Sequence, residues 1–174
     1  RESDDDEKGN DYVVNVIPSW QITPELRYQL TTSLTRRNTE RDSYLSSLHS
    51  SGETDRGIAR VQNELREAYF VENILTYDKV INENNNFNLT LVQAADENKY
   101  TQTRTTGRGF TNESLGYDGI QNAIGNVTVE RDKSTIRTAS FMGRARYNLF
   151  DKYLFTATYR ADGSSVNADG YKWT

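Results

Sequence analysis

The stretch "FMGRARYNLFDKYLFTATYRADGSS", Phe141 to Ser165, decides the fold class. Phe141, Gly143, Ala145, Tyr147 and Leu149 fall at alternate positions and are apolar or small, while Arg144, Arg146 and Asn148 stand between them, with Met142 as an exception. That period of two belongs to a β-strand, whose successive side chains point to opposite faces. After Phe150-Asp151-Lys152 the pattern resumes. Tyr153, Phe155, Ala157, Tyr159 and Ala161 share one face, and Thr156, Thr158, Arg160 and Asp162 take the other, beside Leu154. The stretch therefore reads as a hairpin with an apolar side and a cationic side. A soluble sandwich would bury the aromatic side in a core and leave the arginines in bulk water. An outer-membrane barrel would put the aromatics in lipid and the arginines in a wet lumen.

Working outward, the same period recurs. In "DYVVNVIPSWQI" Tyr12, Val14, Val16, Pro18, Trp20 and Ile22 alternate with Asn15, Ser19 and Gln21, and Val13 and Ile17 are exceptions. Pro24 then presets φ for a turn. "LRYQLTTSL" places Leu26, Tyr28, Leu30, Thr32 and Leu34 against Arg27, Gln29, Thr31 and Ser33. "ELREAYFVENILTYDK" sets Leu65, Tyr69, Val71, Leu75 and Tyr77 opposite Arg66, Glu72, Thr76 and Asp78. A helical stripe through Ile58, Val61, Leu65 and Ala68 competes over 57–67, but "YFVENILTY" is rich in aromatic and β-branched residues and favours strand. After the polar turn "INENNN", Phe87, Leu89 and Leu91 alternate with Asn88 and Thr90. The expected strands are 11–22, 26–37, 64–80, 87–104, 135–149 and 153–162, each paired with its sequence neighbour. Between them, the polar, Ser-rich segment from Arg36 to Gly57 and the segment from Thr103 to Ser134 read as long loops. Loops of that length are rare in compact soluble domains, whereas outer-membrane barrels alternate short turns at one end with long loops at the other.

Composition excludes other classes. The 174 residues carry a net charge of −4 and a mean hydropathy of −0.84, and no apolar run is long enough for a transmembrane helix. A spanning strand meets lipid only at every second residue, so the low hydropathy leaves a barrel open. The absence of cysteine removes disulfides, thiol catalysis and cysteine metal sites. With 21 basic residues scattered among 25 acidic ones, a nucleic-acid partner is not expected. His49, in "SSLHSSG", has no Gly-x-Ser-x-Gly elbow or placed acid beside it and reads as a solvated loop residue, so no enzymatic activity is expected. "DDDEKGN" from Asp4 has Gly9 at the sixth position of a calcium loop. Lys8 takes a ligand position, however, and Asn15 stands where a bidentate Glu is needed, so it reads as an acidic outer loop. With Arg1 first and Met142 the sole methionine, the sequence reads as an internal segment of a longer chain.

Gly143, Arg144, Tyr147, Lys152, Tyr153 and the run Arg160, Asp162, Gly163, Ser164, Ser165 resemble a segment of SusC/RagA-type TonB-dependent transporters of the Bacteroidetes outer membrane. "ENILTYDKVINENNNFNLTLVQA" and "GRGFTNESLGYDGIQNA" resemble that family's preceding hairpin and outer loop, while "VNADGYKWT" departs from its pattern. The resemblance implies an all-β fold, an antiparallel meander of about six strands forming part of a barrel of about 22 strands that a plug closes. Residues 1–174 would all lie in the barrel domain, without the plug. The implied function is nutrient import of glycans or peptides, with a SusD-like surface lipoprotein and the TonB complex as partners, outer-membrane lipid around the wall, and no cofactor. A soluble or surface-exposed β-sandwich binding domain is the alternative. In a barrel, Arg27, Glu72, Arg144, Arg146 and Arg160 would face the lumen as structural or plug-contacting residues, because arginine in midplane lipid costs about 2–4 kcal/mol. Trp20, Tyr147, Tyr153 and Phe155, close to the short turns, would form an interfacial aromatic girdle.

Overall fold

The computed structural model describes residues 2–168, 170 and 172–173. Its strands are β1 (Ser3–Val16), β2 (Ser19–Gln21), β3 (Leu26–Leu45), β4 (Ile58–Asn82), β5 (Asn85–Arg108), β6 (Thr128–Leu149) and β7 (Tyr153–Ser164). They form one sheet in the order β1-β3-β4-β5-β6-β7, with β2 also paired to β3, so the expected meander of sequence neighbours is present. The single first strand expected at 11–22 is instead two, divided at Ile17-Pro18. Proline cannot donate to the ladder, yet its carbonyl still accepts from the Leu30 amide at 3.0 Å.

The larger correction concerns length. β3, β4, β5 and β6 run for 20, 25, 24 and 22 residues, and β3 and β6 reach well into stretches read as loops. The acidic segment from Asp4 lies within β1, and the segment from Arg36 to Gly57 is strand as far as Leu45. The competing helix over 57–67 is absent, since Ile58 onward is β4. The connections that remain are 46–57 and 109–127. The second holds a 3-10 turn at Gly116–Asn122 that no sequence signal announced.

The short turns lie where expected. Glu83 and Asn84 form a two-residue link, and the Asn82 side chain accepts from the Asn84 amide at 3.2 Å. In the β6–β7 turn Phe150 and Asp151 both adopt positive φ, 56° and 51°, and the Lys152 amide donates to the Leu149 carbonyl at 3.2 Å. Two central residues with positive φ meet the demand of a type I′ hairpin, here without the customary Asn-Gly.

Two compact units make up the chain, and the long strands pass through both. The first comprises 1–12, 36–67 and 99–134, and the second 13–35, 68–98 and 135–174. The first contains a small core. Tyr44 and Ala59, 4% and 0% exposed, pack with Phe110, and Tyr117, Ile120 and Ala123 close over them from the 109–127 connection. Tyr44 and Phe110 meet edge-to-face with centroids 5.5 Å apart, an arrangement worth about 0.5–1.5 kcal/mol beyond burial. Gly57 makes this possible: its φ of 92° suits glycine, and a Cβ there would stand 2.7 Å from the Tyr44 hydroxyl. In the second unit the chain after Ser165 returns, so that Trp173 bridges to Gly163 and lies 2.9 Å from where a Cβ on that glycine would be.

Candidate functional site

Register fixes which side chains share a face. In the β6–β7 ladder Tyr147 lies opposite Phe155, Leu149 opposite Tyr153, Ala145 opposite Ala157 and Gly143 opposite Tyr159. Arg144 faces Thr158, Arg146 faces Thr156, and Arg160 faces Met142. Residues directly opposite in an antiparallel pair project to the same side, so the two strands agree on one apolar and one polar face. In the β2–β3 pair Trp20 lies opposite Tyr28 and Gln21 opposite Arg27, and the Trp20 and Tyr28 rings stack at 5.6 Å.

On the apolar face the second unit carries a band of constant length on five strands. Leu26 to Leu34, Tyr69 to Tyr77, Phe87 to Ala95, Phe141 to Leu149 and Tyr153 to Ala161 each span nine residues, which matches the roughly 9–11 residues of a tilted membrane-spanning strand. Beyond it the same alternation presents Arg36, Asn38, Glu40 and Asp42 on β3, and Lys133 and Arg131 on β6. Within the band, Tyr28, Leu75, Leu91, Phe141, Gly143 and Tyr159 surround a groove of about 390 Å³. A polar ladder crosses it: the Tyr28 hydroxyl donates to Asn73 Oδ1 at 2.5 Å, and Asn73 Nδ2 donates to Gln93 Oε1 at 2.6 Å. Periodicity placed Asn73 and Gln93 on this face without indicating their pairing.

The polar face carries charge throughout. Arg37 grips Asp11 with two bonds of 2.7 Å, Arg41 holds Glu7 at 2.6 Å, and Arg160 holds Asp162 at 2.8 Å. Outside the band the Arg37 guanidinium draws the Asp11 carboxyl below its usual range. Of the other residues expected on this face, Arg27 and Arg146 are exposed, Glu72 and Arg144 are half-buried, and none has an ion-pair partner among the described residues. Among the expected girdle residues, Trp20, Tyr153 and Phe155 are 50%, 58% and 57% exposed, and Tyr147 is half-buried, its hydroxyl 3.4 Å from Asn85 Oδ1. The structure thus keeps the two sets on opposite faces and does not gather either into a catalytic cluster.

The first unit holds the groups whose shifts come mainly from burial. Burial, reinforced by the neighbouring Glu113 carboxylate, pushes the Tyr44 hydroxyl up to about 12, and that hydroxyl has no well-formed hydrogen bond. Burial also raises the Asp42 carboxyl, with Glu40 adding to the effect. His49 sits in the 46–57 loop, where its Nδ1 accepts from the Ser51 amide at 3.1 Å. No cluster of three or more His, Cys, Asp or Glu suited to a metal exists among the described residues. None of their helices is long and apolar enough to cross a membrane, which says nothing of a β-barrel.

No profile of a known protein family matches the chain. Individual relatives do. It is 32% identical over 120 residues to TonB-dependent receptor P26 of Formosa agariphila, and 26% identical over 171 residues to TonB-dependent receptor P3 of the same organism. Those matches cover 67% and 94% of this chain but only 12% and 16% of the relatives. Among solved structures, the RagAB peptide transporter superposes with a TM-score of 0.88 at 16% identity, over 99% of this chain and 19% of that one. The same importer in its "open-open" state gives 0.86 at 15% identity. The resemblance to SusC/RagA-type TonB-dependent receptors is therefore borne out, and so is the all-β antiparallel fold of a stretch of their barrel.

Proposed function

We propose that the chain is a length of barrel wall from a TonB-dependent outer-membrane importer, with all of 1–174 in the barrel domain. The observation that carries this reading is the nine-residue apolar band repeated on five strands, with charge on the opposite face. In the intact protein Leu30, Leu75, Leu89, Ala157 and Tyr159 meet hydrocarbon, while Arg27, Glu72, Arg144, Arg146 and Arg160 meet water, plug or substrate in the lumen. Trp20, Tyr147, Tyr153 and Phe155 anchor the wall at the interface. The whole protein takes up oligosaccharides or peptides, works with a SusD-like surface lipoprotein, and draws energy through TonB. Its work is transport, not catalysis. Similarity to proteins named as receptors and to a peptide importer supports this reading.

Spin labels at single cysteines in the intact membrane protein test it. A label at 157 should be reached by oxygen and shielded from a water-soluble nickel reagent, and a label at 158 should show a lower oxygen-to-nickel ratio. Equal shielding of 157 from both reagents would mean a packed protein core and would end the wall reading.

A further inference from the structure

On the polar face of the first unit, four arginines from three adjacent strands line one cavity of about 420 Å³: Arg41 of β3, Arg60 of β4, and Arg104 and Arg108 of β5. Three are partly committed. Arg41 holds Glu7 at 2.6 Å, Arg108 lies 3.3 Å from Asp55, and Arg104 donates to Gln62 Oε1 at 3.0 Å with Glu130 3.6 Å away. Arg60 is exposed and has no carboxylate or hydrogen-bond partner among the described residues. Within the cavity wall itself, four guanidinium groups face the single carboxylate of Glu130. The remaining lining residues are Ser43, Gln62, Thr106 and Thr128, so no apolar side chain contributes to the wall.

We infer that this cavity is an anion-binding subsite that takes the carboxylate or sulfate of an acidic oligosaccharide. Guanidinium forks match such oxyanions with paired N–H donors, and they stay charged at every physiological pH. Arg60 supplies the uncommitted fork. Arg104, held by the Gln62 amide, supplies a second donor set at fixed orientation. Hydroxyl and amide side chains suit a polyhydroxylated ring, whereas a peptide's apolar side chains would find nothing to bury against. The inference rests on the importer reading, because only there does this face line a solute path.

The test uses the full-length transporter in nanodiscs and a matched pair of probes, a galacturonate tetrasaccharide and its methyl ester, which share a sugar backbone and differ in whether the carboxyl groups carry charge. The acid form should bind at least about tenfold more tightly than the ester, and its affinity should fall between 50 and 300 mM salt. Arg60→Gln should cut that preference at least about threefold, and Arg60→Lys should restore part of it. Equal binding of acid and ester, no binding of the acid form, or an acid preference indifferent to Arg60→Gln would overturn the inference. Tighter binding of a glutamate-rich peptide than of either sugar would overturn the sugar assignment. None of these results would disturb the label contrast at 157 and 158, which judges the importer reading separately.

Discussion

The two units share five strands and the same alternation, yet they treat their apolar side chains differently. Among the described residues every buried apolar side chain (Tyr44, Ile58, Ala59 and Phe110) belongs to the first unit. The second unit buries none to that degree and instead carries most of the large exposed ones, among them Trp20, Phe141, Tyr153, Phe155 and Tyr159. The first unit stabilises its strand ends as a soluble protein does, by folding a connection over them and excluding water. The second has no such lid among the described residues and leaves its apolar face to whatever surrounds it. A period of two therefore states where side chains point, and only the residue types at those points say which medium they meet.

Four measurements would break or sharpen this contrast. The largest effect is expected from Phe110→Ala, which empties the core cluster of the first unit. It should cost about 3 kcal/mol and show as faster amide exchange across 109–127, with the β6–β7 hairpin unaffected. Next comes a paired substitution on one face of one strand. Leu91→Arg, inside the band, should destabilise the membrane-inserted protein by about 2–4 kcal/mol in urea titrations, and Thr101→Arg, beyond it, by less than about 1 kcal/mol. Equal costs would erase the boundary between the units.

The third is a pH effect confined to the first unit. The Tyr44 phenol is held neutral in the folded state, up to about 12 against an ordinary value of 10.0. Its folded value being raised, the stability it lends is complete below pH 10, falls as the unfolded chain ionises above that, and is gone once pH passes about 12. Absorbance of tyrosinate together with exchange in 109–127 should record this loss, and Tyr44→Phe should remove it. The smallest effect is a gain. Phe150 holds a φ of 56° that costs a residue with a Cβ about 1–2 kcal/mol, so Phe150→Gly should stabilise the hairpin by up to about 1 kcal/mol in thermal unfolding.

What the sequence made legible follows the same division. Leu26 to Leu34 and Tyr153 to Ala161 announce themselves because apolar and polar residues alternate there, as a sheet with two unlike faces requires. Asp4 to Lys8 and Arg36 to Leu45 are strand as well, but they carry mostly polar and charged residues at both parities, and such a strand is indistinguishable from a loop by pattern alone. The backbone ladder to its neighbours holds such a strand, and that ladder leaves no mark on composition. The arginine cavity was invisible for a related reason. Arg41, Arg60, Arg104 and Arg108 are scattered over 68 residues and are collected only by the register of three strands.

The ladder from Tyr28 through Asn73 to Gln93 bears on how such a wall is put together. Sliding one strand past the next by a single residue turns its apolar side the wrong way and is rejected at once. A slip of two residues passes that check, since each strand keeps the same parity, and so the same side, toward each face. It would, however, pull Tyr28 from Asn73 or Asn73 from Gln93, and in the proposed lipid setting the freed amide and hydroxyl groups would find no replacement partner. On that reading three side chains would mark the register against even-numbered slips, to which hydrophobicity is blind.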